Sequence, residues 1–530
     1  MEPKGEITPQ ETHYITGVRL HLITAALCMC LFLTNLEIPI VTTALVGMTM
    51  DLGGFSQINW IISAYLLGYV AVLIIYAKLS DICGRKSFVL LAVFIFVVFS
   101  AACGASQTMT ELIVFRAFQG IGGAGNYSLC SVMFLELVPP EKYAKYTSSV
   151  SVVYSLSLLL GPIFGGAISQ SSTWRWVFLL NIPPGALAGL VIILALPNRF
   201  PYHATPNARK GFSLRQYIGE TVQRVDFLGT GLLLVATLFL VASLEEVNHE
   251  FAWRSAFVIT LLVISGIAWI LFLVWERQVT LHSDTREPVF PWRFVQNRIW
   301  MGMLLNSIFL GGTWFVTIFQ LPQRYQIVNG LSPLQAGIRF IPFTLAAPVG
   351  SVIAPTIGKA LKLPLVYLVL AASIIQVIGY SLLSTLPESP AISASQYGYQ
   401  IIAGFGCGIN ISLLILMTPF AVEGRDKAVA MGAVAQFRVM GGVICLAIVT
   451  SVFNGTIRSG LKDFLSPDQI DAVLRSTEVI STFPPMVQDM TRVVFLRGYS
   501  LQFKILTGFA GGQILSSFLM WKKNKEQIRA

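Results

Sequence analysis

Charged residues are scarce in this 530-residue chain, in which Asp, Glu, Lys and Arg together make up 12% of the positions. Soluble domains carry about 25%. Hydrophobic residues make up 55%, and the mean hydropathy is +0.70. This composition excludes an ordinary soluble protein. Residues 1–17 are polar and lack a basic stretch followed by a short apolar core, so we expect no cleaved signal peptide.

Cysteine, histidine and nucleotide-binding motifs offer little metal or enzyme chemistry. The seven cysteines form no CxxC pair, and none lies in a predicted outer loop, so we expect no disulfide framework and no metal site. The five histidines all lie in loops or at helix ends. No phosphate-binding G-x-x-x-x-G-K-[ST] loop occurs. The sequence therefore predicts no cofactor, no ATP-driven step and no enzyme activity.

The net charge of +10 does not indicate a nucleic-acid partner, because the basic residues lie in short clusters between apolar stretches. This distribution is typical of membrane proteins, whose cytoplasmic loops are rich in Lys and Arg. We count about fourteen apolar stretches of the roughly 20 residues that cross a bilayer. Alternate loops are basic, which places both termini in the cytoplasm. The fold prediction is an all-α membrane protein with about 14 transmembrane helices.

A glycine-rich pattern occurs twice at a constant offset. Gly120 corresponds to Gly404 and Asn126 to Asn410, and 404 − 120 and 410 − 126 both equal 284. The two segments fall in predicted helices 4 and 12. A displacement of eight helices fits two six-helix bundles separated by a two-helix insert, an arrangement found in transporters. The alternative is chance similarity between two membrane helices that both need small residues for packing.

The repeat and the charge pattern predict the division of the chain. We expect a cytoplasmic segment (1–18), an N-terminal six-helix bundle (19–196), a linker with two inserted helices (197–298), a C-terminal six-helix bundle (299–521) that includes an outer loop (454–499), and a cytoplasmic tail (522–530). Within the outer loop, Ser466 and Gln469 predict the start of a short helix. Asn454 begins a glycosylation sequon on the same side.

Two charges lie inside predicted membrane helices, Glu37 in the first and Arg116 in the fourth. A charge at mid-bilayer costs roughly 2.5–3.5 kcal/mol on insertion scales, so it is retained mainly for a function. We predict that Glu37 binds and releases a proton and that Arg116 controls this step. The alternative is that both are packing elements satisfied by their neighbours. Because Arg116 aligns with Gln400, the charge belongs to the first half alone.

A short basic loop joins predicted helices 2 and 3. Residues 77–88 read AKLSDICGRKSF. Gly84 permits a tight turn, and Asp81 is positioned to pair with Arg85 or to face a helix N-terminus. Together with Lys86, these residues predict a charged clasp that holds one conformation. This loop resembles the signature loop of the major facilitator superfamily, G-x-L-a-D-r-x-G-r-k, with Ala77 in place of the first glycine.

Further segments resemble the fourteen-helix drug:proton antiporters of that superfamily. They are residues 36–45 (LEIPIVTTAL), 112–120 (LIVFRAFQG), 161–166 (GPIFGG) and 174–185 (WRWVFLLNIPPG). Glu37 stands where the family has an aspartate, Pro39 replaces a threonine, Thr42 an asparagine and Ser157 a glycine. Position 37 thus keeps a carboxyl group, but on a longer side chain. The resemblance implies that Gly161, Pro162, Gly165 and Gly166 form a helix bend that favours export.

The resemblance implies a monomeric, proton-coupled exporter of small amphipathic compounds such as drugs, toxins or secondary metabolites, placed in the plasma membrane or in the vacuolar membrane. One alternative is a facilitator for a defined nutrient, such as a basic amino acid or an iron chelate, in an internal membrane. A membrane sensor is a further alternative. Polar or aromatic residues inside the helices are the candidates for the substrate cavity: Gln119, Asn126, Asn306, Trp314, Asn410 and Arg438. For Arg438, substrate contact and extension towards the cytoplasm both stay open.

Overall fold

A computed structural model describes residues 14–53, 57–58, 60–198, 200–201, 222–247, 251–283, 285–387, 391–475 and 477–521. In these ranges the chain is almost entirely helical. The long helices, in chain order, are α1 (Gly17–Thr42), α2 (Trp60–Cys83), α3 (Arg85–Ala105), α4 (Met109–Glu136), α5 (Tyr143–Ser171), α6 (Ile182–Ala195), α7 (Phe227–Glu246), α8 (Ala256–His282), α9 (Arg298–Asn329), α10 (Pro333–Leu361), α11 (Leu365–Ser384), α12 (Ser395–Ala421), α13 (Lys427–Leu461) and α14 (Pro485–Leu519). Short helices cover Leu45–Leu52, Trp176–Leu179, Arg293–Gln296 and Pro467–Arg475.

The all-α membrane architecture is confirmed. Twelve helices in the described ranges are long and apolar enough to cross a membrane, one of them formed by Trp176–Leu179 together with α6. The other two long helices, α4 with 28 residues and α14 with 35, are also long enough, but neither contains a stretch apolar enough to count among the twelve. The count of fourteen spans is compatible with this structure and stays a prediction.

Local sequence signals set several helix boundaries. Thr108 and Glu111 form a capping box that starts α4, because each side chain accepts a hydrogen bond from the other residue's backbone N–H. Between α2 and α3, Gly84 has φ +108°, a backbone conformation that side chains disfavour. The turn predicted there is therefore confirmed, and it brings the ends of α2 and α3 together.

The glycine-rich repeat makes equivalent contacts in the two halves. In the N-terminal half, a Cβ at Gly120 of α4 would lie within 3.0 Å of the carbonyl oxygen of Tyr65 in α2. In the C-terminal half, a Cβ at Gly404 of α12 would lie equally close to the carbonyl oxygen of Phe343 in α10. Helix α4 also packs on α3 as α12 packs on α11. The repeat is thus a structural one, with glycines at positions where helix backbones touch.

Two helix pairs make most of the contact between the halves. Helix α2 packs against α13, where the Ile74 amide donates to Gln436 Oε1 at 3.1 Å. Helix α5 packs against α10, where Ser148 Oγ donates to the Ser351 carbonyl at 2.9 Å. In the repeat, each helix corresponds to the helix eight positions later, so α2 corresponds to α10 and α5 to α13. The pairs α2–α13 and α5–α10 are therefore equivalent to each other. The interface therefore has approximate two-fold symmetry, as expected for two repeated bundles that rock against each other.

The inserted helices α7 and α8 pack on each other beside the α2–α13 contact. Ser265 Oγ of α8 donates to the Ala236 carbonyl of α7 at 2.7 Å. Ser63 Oγ of α2 donates to Glu245 Oε2 of α7 at 2.9 Å. The insert thus lies at the edge of the two bundles and leaves the space between them free.

The segment 454–499, expected to be an outer loop, contains much more helix than predicted. Helix α13 continues to Leu461, and α14 already begins at Pro485. Both ends stay helical because their apolar residues, Ile457 and Val494 among them, pack with the short helix Pro467–Arg475 in a separate core. The short helix itself is confirmed, with Ser466 and Gln469 capping it reciprocally.

The Asn454 sequon lies inside α13. Sequons that are used lie in surface loops of secreted segments, so this position disfavours glycosylation.

A pair of glycine substitutions in α12 tests the packing account. We expect Gly404→Ala to lower the melting temperature of the detergent-solubilised protein, because overpacking against backbone costs roughly 1–3 kcal/mol. Gly398 lies in the same helix with open space around its Cβ position, so Gly398→Ala should be neutral or slightly stabilising. Equal melting temperatures for the two variants would contradict the proposed backbone contact.

Candidate functional site

The two intramembrane charges form a buried ion pair. Arg116 Nη1 of α4 lies 2.7 Å from Glu37 Oε1 of α1, and both side chains are 0% exposed. The structure therefore brings together the two residues that the sequence singles out 79 positions apart. The pair lies within the N-terminal bundle and ties α1 to α4.

Amide side chains complete the surroundings of Glu37. Gln119 Nε2 donates to Glu37 Oε1 at 2.8 Å, and Asn181 Nδ2 donates to Oε2 at 2.8 Å. Gln119 also accepts from Arg116 Nη1 at 2.8 Å and donates to Ser100 at 2.7 Å. Each carboxylate oxygen thus has a neutral donor as well as any charged one, an arrangement that suits the ionised carboxylate.

Arg116 is held on its other sides by α2. Its Nε donates to the Ile61 carbonyl at 2.9 Å, and its guanidinium carbon lies 4.4 Å from the centroid of the Tyr65 ring, a cation–π contact. Nη2 has no hydrogen-bond partner among the described residues. A buried donor without a partner is unusual, so the pair is not fully satisfied by its protein neighbours in this conformation.

The glycines of the α5 motif pack against α1 next to the ion pair. A Cβ at Gly161 would lie 2.6 Å from Pro39 Cγ, and one at Gly165 would lie 2.5 Å from the Ile40 carbonyl oxygen. Gly166, by contrast, has open space beside it. Pro162 faces the other bundle, since a Cβ at Gly337 of α10 would lie 3.8 Å from its Cβ. Helix α5 therefore contacts both the Glu37 helix and the C-terminal half.

A cavity lies between the two bundles, in the middle of the molecule. Trp314 and Arg438 of the C-terminal half line it, and so do Tyr127 and Tyr154 of the N-terminal half. Trp314 Nε1 donates across the interface to Tyr154 Oη at 3.1 Å. The cavity volume is about 20 Å³, room for roughly one water molecule. Pockets for drug-sized ligands measure about 300–1,000 Å³, so the bundles must separate before such a compound can enter.

The clasp residues form an ion cluster at the C-terminal ends of α2 and α4 and at the N-terminal end of α3. Arg85 pairs with Asp81, the first of the two arrangements left open for that residue, and also with Glu136 at 2.9 Å. It donates further to the Ala77 carbonyl at 3.3 Å. Lys86 instead donates to the Leu196 carbonyl at 2.7 Å, just beyond α6. The cluster joins the ends of four helices of the N-terminal bundle.

A second group of ion pairs ties the segment before α9 to both halves. Glu287 lies 2.7 Å from Lys78 of α2 and also accepts from Arg224 Nε at 2.9 Å. Arg293 pairs with Asp426 at the start of α13. Burial alone would raise the pKa of Glu287, but Lys78 and Arg224 outweigh it and hold that pKa below its usual value. Glu287 is therefore ionised at neutral pH, and these links hold the bundles together at this end.

Of the six residues predicted to line the substrate cavity, only Trp314 and Arg438 line the central cavity in the described part of the chain. Gln119 belongs to the ion-pair site. Asn306 Nδ2 of α9 donates to the Gln513 carbonyl at 3.0 Å, and Asn410 donates to Gln513 Oε1 at 2.7 Å. Asn126 makes a long contact of 3.5 Å with Thr34. These asparagines are buried inside their own bundles in this conformation.

The C-terminal half carries a neutral counterpart of the ion-pair site. Gln376 and Gln513 exchange hydrogen bonds of 3.0 and 2.9 Å, and Thr313 donates to Gln376 at 3.1 Å. Gln400, which aligns with Arg116, donates to Tyr325 Oη at 2.7 Å. The interior of this half is therefore bonded through amides and hydroxyls, without charge at the corresponding position.

Several contributors to the site carry no assigned role in the sequence analysis. Asn181 lies within the 174–185 segment, so a signal for it was present. Glu136 closes the clasp from the end of α4, and Tyr65 stacks on Arg116. No local pattern marks these two residues, because their role depends on contacts between helices.

Comparisons with known proteins agree with this architecture. The model of the Major Facilitator Superfamily matches residues 25–244. The chain is 42% identical over 517 residues to the MFS-type transporter FPY5 of Fusarium mangiferae, covering 98% of this chain and 86% of that protein. It is 30% identical over 445 residues to Multidrug resistance protein 3 of Bacillus subtilis, covering 84% and 81%. The MFS-type efflux pump MFS1 of Trichophyton rubrum is 26% identical over 521 residues, covering 97% and 94%.

Solved structures show the same fold. A bacterial homologue of the human lysosomal transporter Spinster, inward-facing and unoccupied, aligns with a TM-score of 0.61 at 14% identity and covers 96% of this chain and 100% of that one. The proton:xylose symporter XylE aligns with a TM-score of 0.58 at 12% identity, covering 96% of each. The protein is thus a multi-pass membrane transporter and not an enzyme. It belongs to the major facilitator superfamily.

A double-mutant cycle tests the ion pair. We expect Arg116→Gln to destabilise the protein by about 3–5 kcal/mol, because it leaves a buried carboxylate without its cation. Glu37→Gln/Arg116→Gln should be less destabilised than Arg116→Gln alone, since neither charge is then stranded. Melting temperatures in detergent measure the effect. Arg458→Gln is the control, because Arg458 pairs with Asp471 at an exposed position where such pairs contribute about 0–1 kcal/mol. Strictly additive losses would contradict the coupling.

Proposed function

We propose that the protein exports small amphipathic compounds, such as drugs, toxins or secondary metabolites, in exchange for protons. Relatives support the direction of transport: they include the Rubrofusarin-specific efflux pump aurT of Gibberella zeae and the efflux pump mlcE of Penicillium citrinum. The observation that carries the proposal is the fully buried pair of Glu37 and Arg116, a proton-binding group next to a fixed positive charge.

The pair gives the N-terminal bundle two states of different energy. With Glu37 ionised, its attraction to Arg116 holds α1 against α4. With Glu37 protonated, the ion pair is lost and Arg116 is left as an unpaired buried cation, which favours a conformation that brings water or another anion to it. The orphaned Nη2 of Arg116 supports a role beyond packing, because a pair selected for stability alone would satisfy its donors.

Helix α5 offers a mechanical route from Glu37 to the other bundle. Its glycines contact α1 at Pro39 and Ile40, within one turn of Glu37, and Pro162 of the same segment meets α10. Proline removes a backbone hydrogen bond and weakens the helix locally. A shift of α1 on protonation is therefore transmitted to the interface that closes the central cavity, which couples proton binding to substrate access.

The charges at the helix ends support the predicted topology, and the position of the site supports the predicted monomer. The basic clusters and the ion pairs at Lys78, Arg85 and Arg293 lie at the helix ends assigned to the cytoplasm, so both termini belong on that side. We propose the plasma membrane as the location, since export from the cell requires it. The ion pair and the cavity both lie within one chain, which supports a functional monomer.

Proton flux in sealed proteoliposomes tests the proposed function. A pH-sensitive dye inside the vesicles reports proton movement while cationic, neutral and anionic amphipathic compounds are added in turn. We expect at least one class to trigger flux in the wild type. Glu37→Gln, which mimics the protonated acid, should abolish that flux because no proton can be released.

The matched control is Glu276→Gln. Glu276 is equally buried but lies in α8, where it accepts from the backbone amides of Val289 and Phe290 at 3.2 and 3.1 Å. Its variant should keep substrate-triggered flux. Flux that persists in Glu37→Gln would contradict the proton-switch assignment. Downhill movement of a labelled compound without any proton flux would instead indicate a facilitator.

A further inference from the structure

Arg438 is a buried cation at the wall of the central cavity. It lies in α13, is 6% exposed, and lines the cavity together with residues of both bundles. Its backbone position is fixed by α9, because a Cβ at Gly311 would lie within 3.0 Å of the Arg438 carbonyl oxygen. The guanidinium therefore points from a rigid helix contact into the space between the halves.

No carboxylate pairs with Arg438 among the residues that the structure describes. Its guanidinium instead donates from Nη2 to Tyr127 Oη of α4, across the interface, and lies 5.8 Å from the centroid of that ring. The remaining nitrogens make no other hydrogen bond within the described ranges. Burying a guanidinium without an anion is costly. Arg116, which is also buried within the membrane helices, has its carboxylate, and Arg324 of α9 donates to Gln396 away from this cavity.

The rest of the cavity wall is apolar, aromatic or neutral. The rings of Tyr154 and Trp314 lie 5.6 Å apart by centroid, and Ser151 and Ser155 also line the cavity. Arg438 is the one charged residue on the wall in the described ranges. A ligand that suits this wall has an apolar or aromatic body and a single negative charge.

We propose that Arg438 binds the anionic group of the transported compound, so that the substrates are amphipathic organic anions such as carboxylates, phenolates or enolates. While the cavity is closed, the Tyr127 hydroxyl accepts the hydrogen bond of the Arg438 guanidinium. When the bundles separate, the anion takes the place of that hydroxyl. This inference rests on the proposed export function and assigns its substrate class. Export of an anion and uptake of a proton both carry net positive charge inward. An inside-negative membrane potential therefore favours both movements.

Equilibrium binding to the purified full-length protein tests the proposal with a probe pair that differs in charge. Naphthoate and its methyl ester share one aromatic body. We expect the wild type to bind naphthoate more tightly than the ester. In Arg438→Gln, naphthoate affinity should fall about tenfold or more, because hydrogen bonds to charged groups are lost, while ester affinity stays unchanged. Arg438→Lys should retain part of the preference. Equal affinities for the two probes in the wild type, or equal losses for both in Arg438→Gln, would overturn the proposal.

A second variant guards against a folding defect in Arg438→Gln. Tyr127→Phe keeps the ring but removes the hydroxyl that Arg438 engages, so naphthoate affinity should be kept or raised. A loss of naphthoate binding in Tyr127→Phe with an intact melting temperature would also count against the displacement step.

Transport assays separate this proposal from the one on which it rests. If cationic or neutral compounds drive proton flux and naphthoate does not, export coupled to protons stands and the anion assignment fails. If naphthoate binds in an Arg438-dependent way but no compound drives proton flux, the anion site stands and proton coupling fails.

Discussion

The structure depends on a carboxylate and a guanidinium that are buried together, away from bulk solvent. Glu37 and Arg116 are both fully buried, and neither can be ionised there alone without a large desolvation cost. They must stay together, or one must lose its charge, or water must reach them. Of the two, only the carboxyl changes charge readily, because arginine stays protonated in proteins. In the proposed mechanism, the conformation of the N-terminal bundle is therefore linked to one proton.

The two halves share a helix arrangement but differ in what their interiors contain. At the position of Arg116 the second half has Gln400, and its buried network joins Gln376, Gln513 and Asn410 through neutral hydrogen bonds. Hydrogen bonds between neutral side chains hold the helices in place, and these side chains do not change their charge when a proton arrives. Arg438, a buried charge of the second half, lies instead at the interface, in contact with Tyr127. The proposed mechanism accordingly places proton binding in one bundle and substrate recognition in the space that this bundle shares with the other.

Local patterns predicted what depends on neighbouring residues along the chain. The turn at Gly84 and the cap at Ser466 follow from spacing alone. Glu37 and Arg116 were singled out because a charge inside a membrane helix is costly, whereas their direct pairing is a finding of the structure. The sequence could not predict that α13 and α14 extend into the outer segment, since this depends on a small apolar core formed by distant residues. The contact of Arg438 with Tyr127, 311 positions away, likewise depends on how the bundles meet.

The protonation state of Glu37 is the central quantity in this account, and infrared difference spectroscopy of the carboxyl band measures it directly. Spectra of the reconstituted protein with and without a transported compound, compared with those of Glu37→Gln, isolate this one side chain. The account predicts that adding the compound changes the fraction of protonated Glu37 and that the band is absent in the variant. A Glu37 carboxyl that stays ionised throughout the transport cycle would contradict the account.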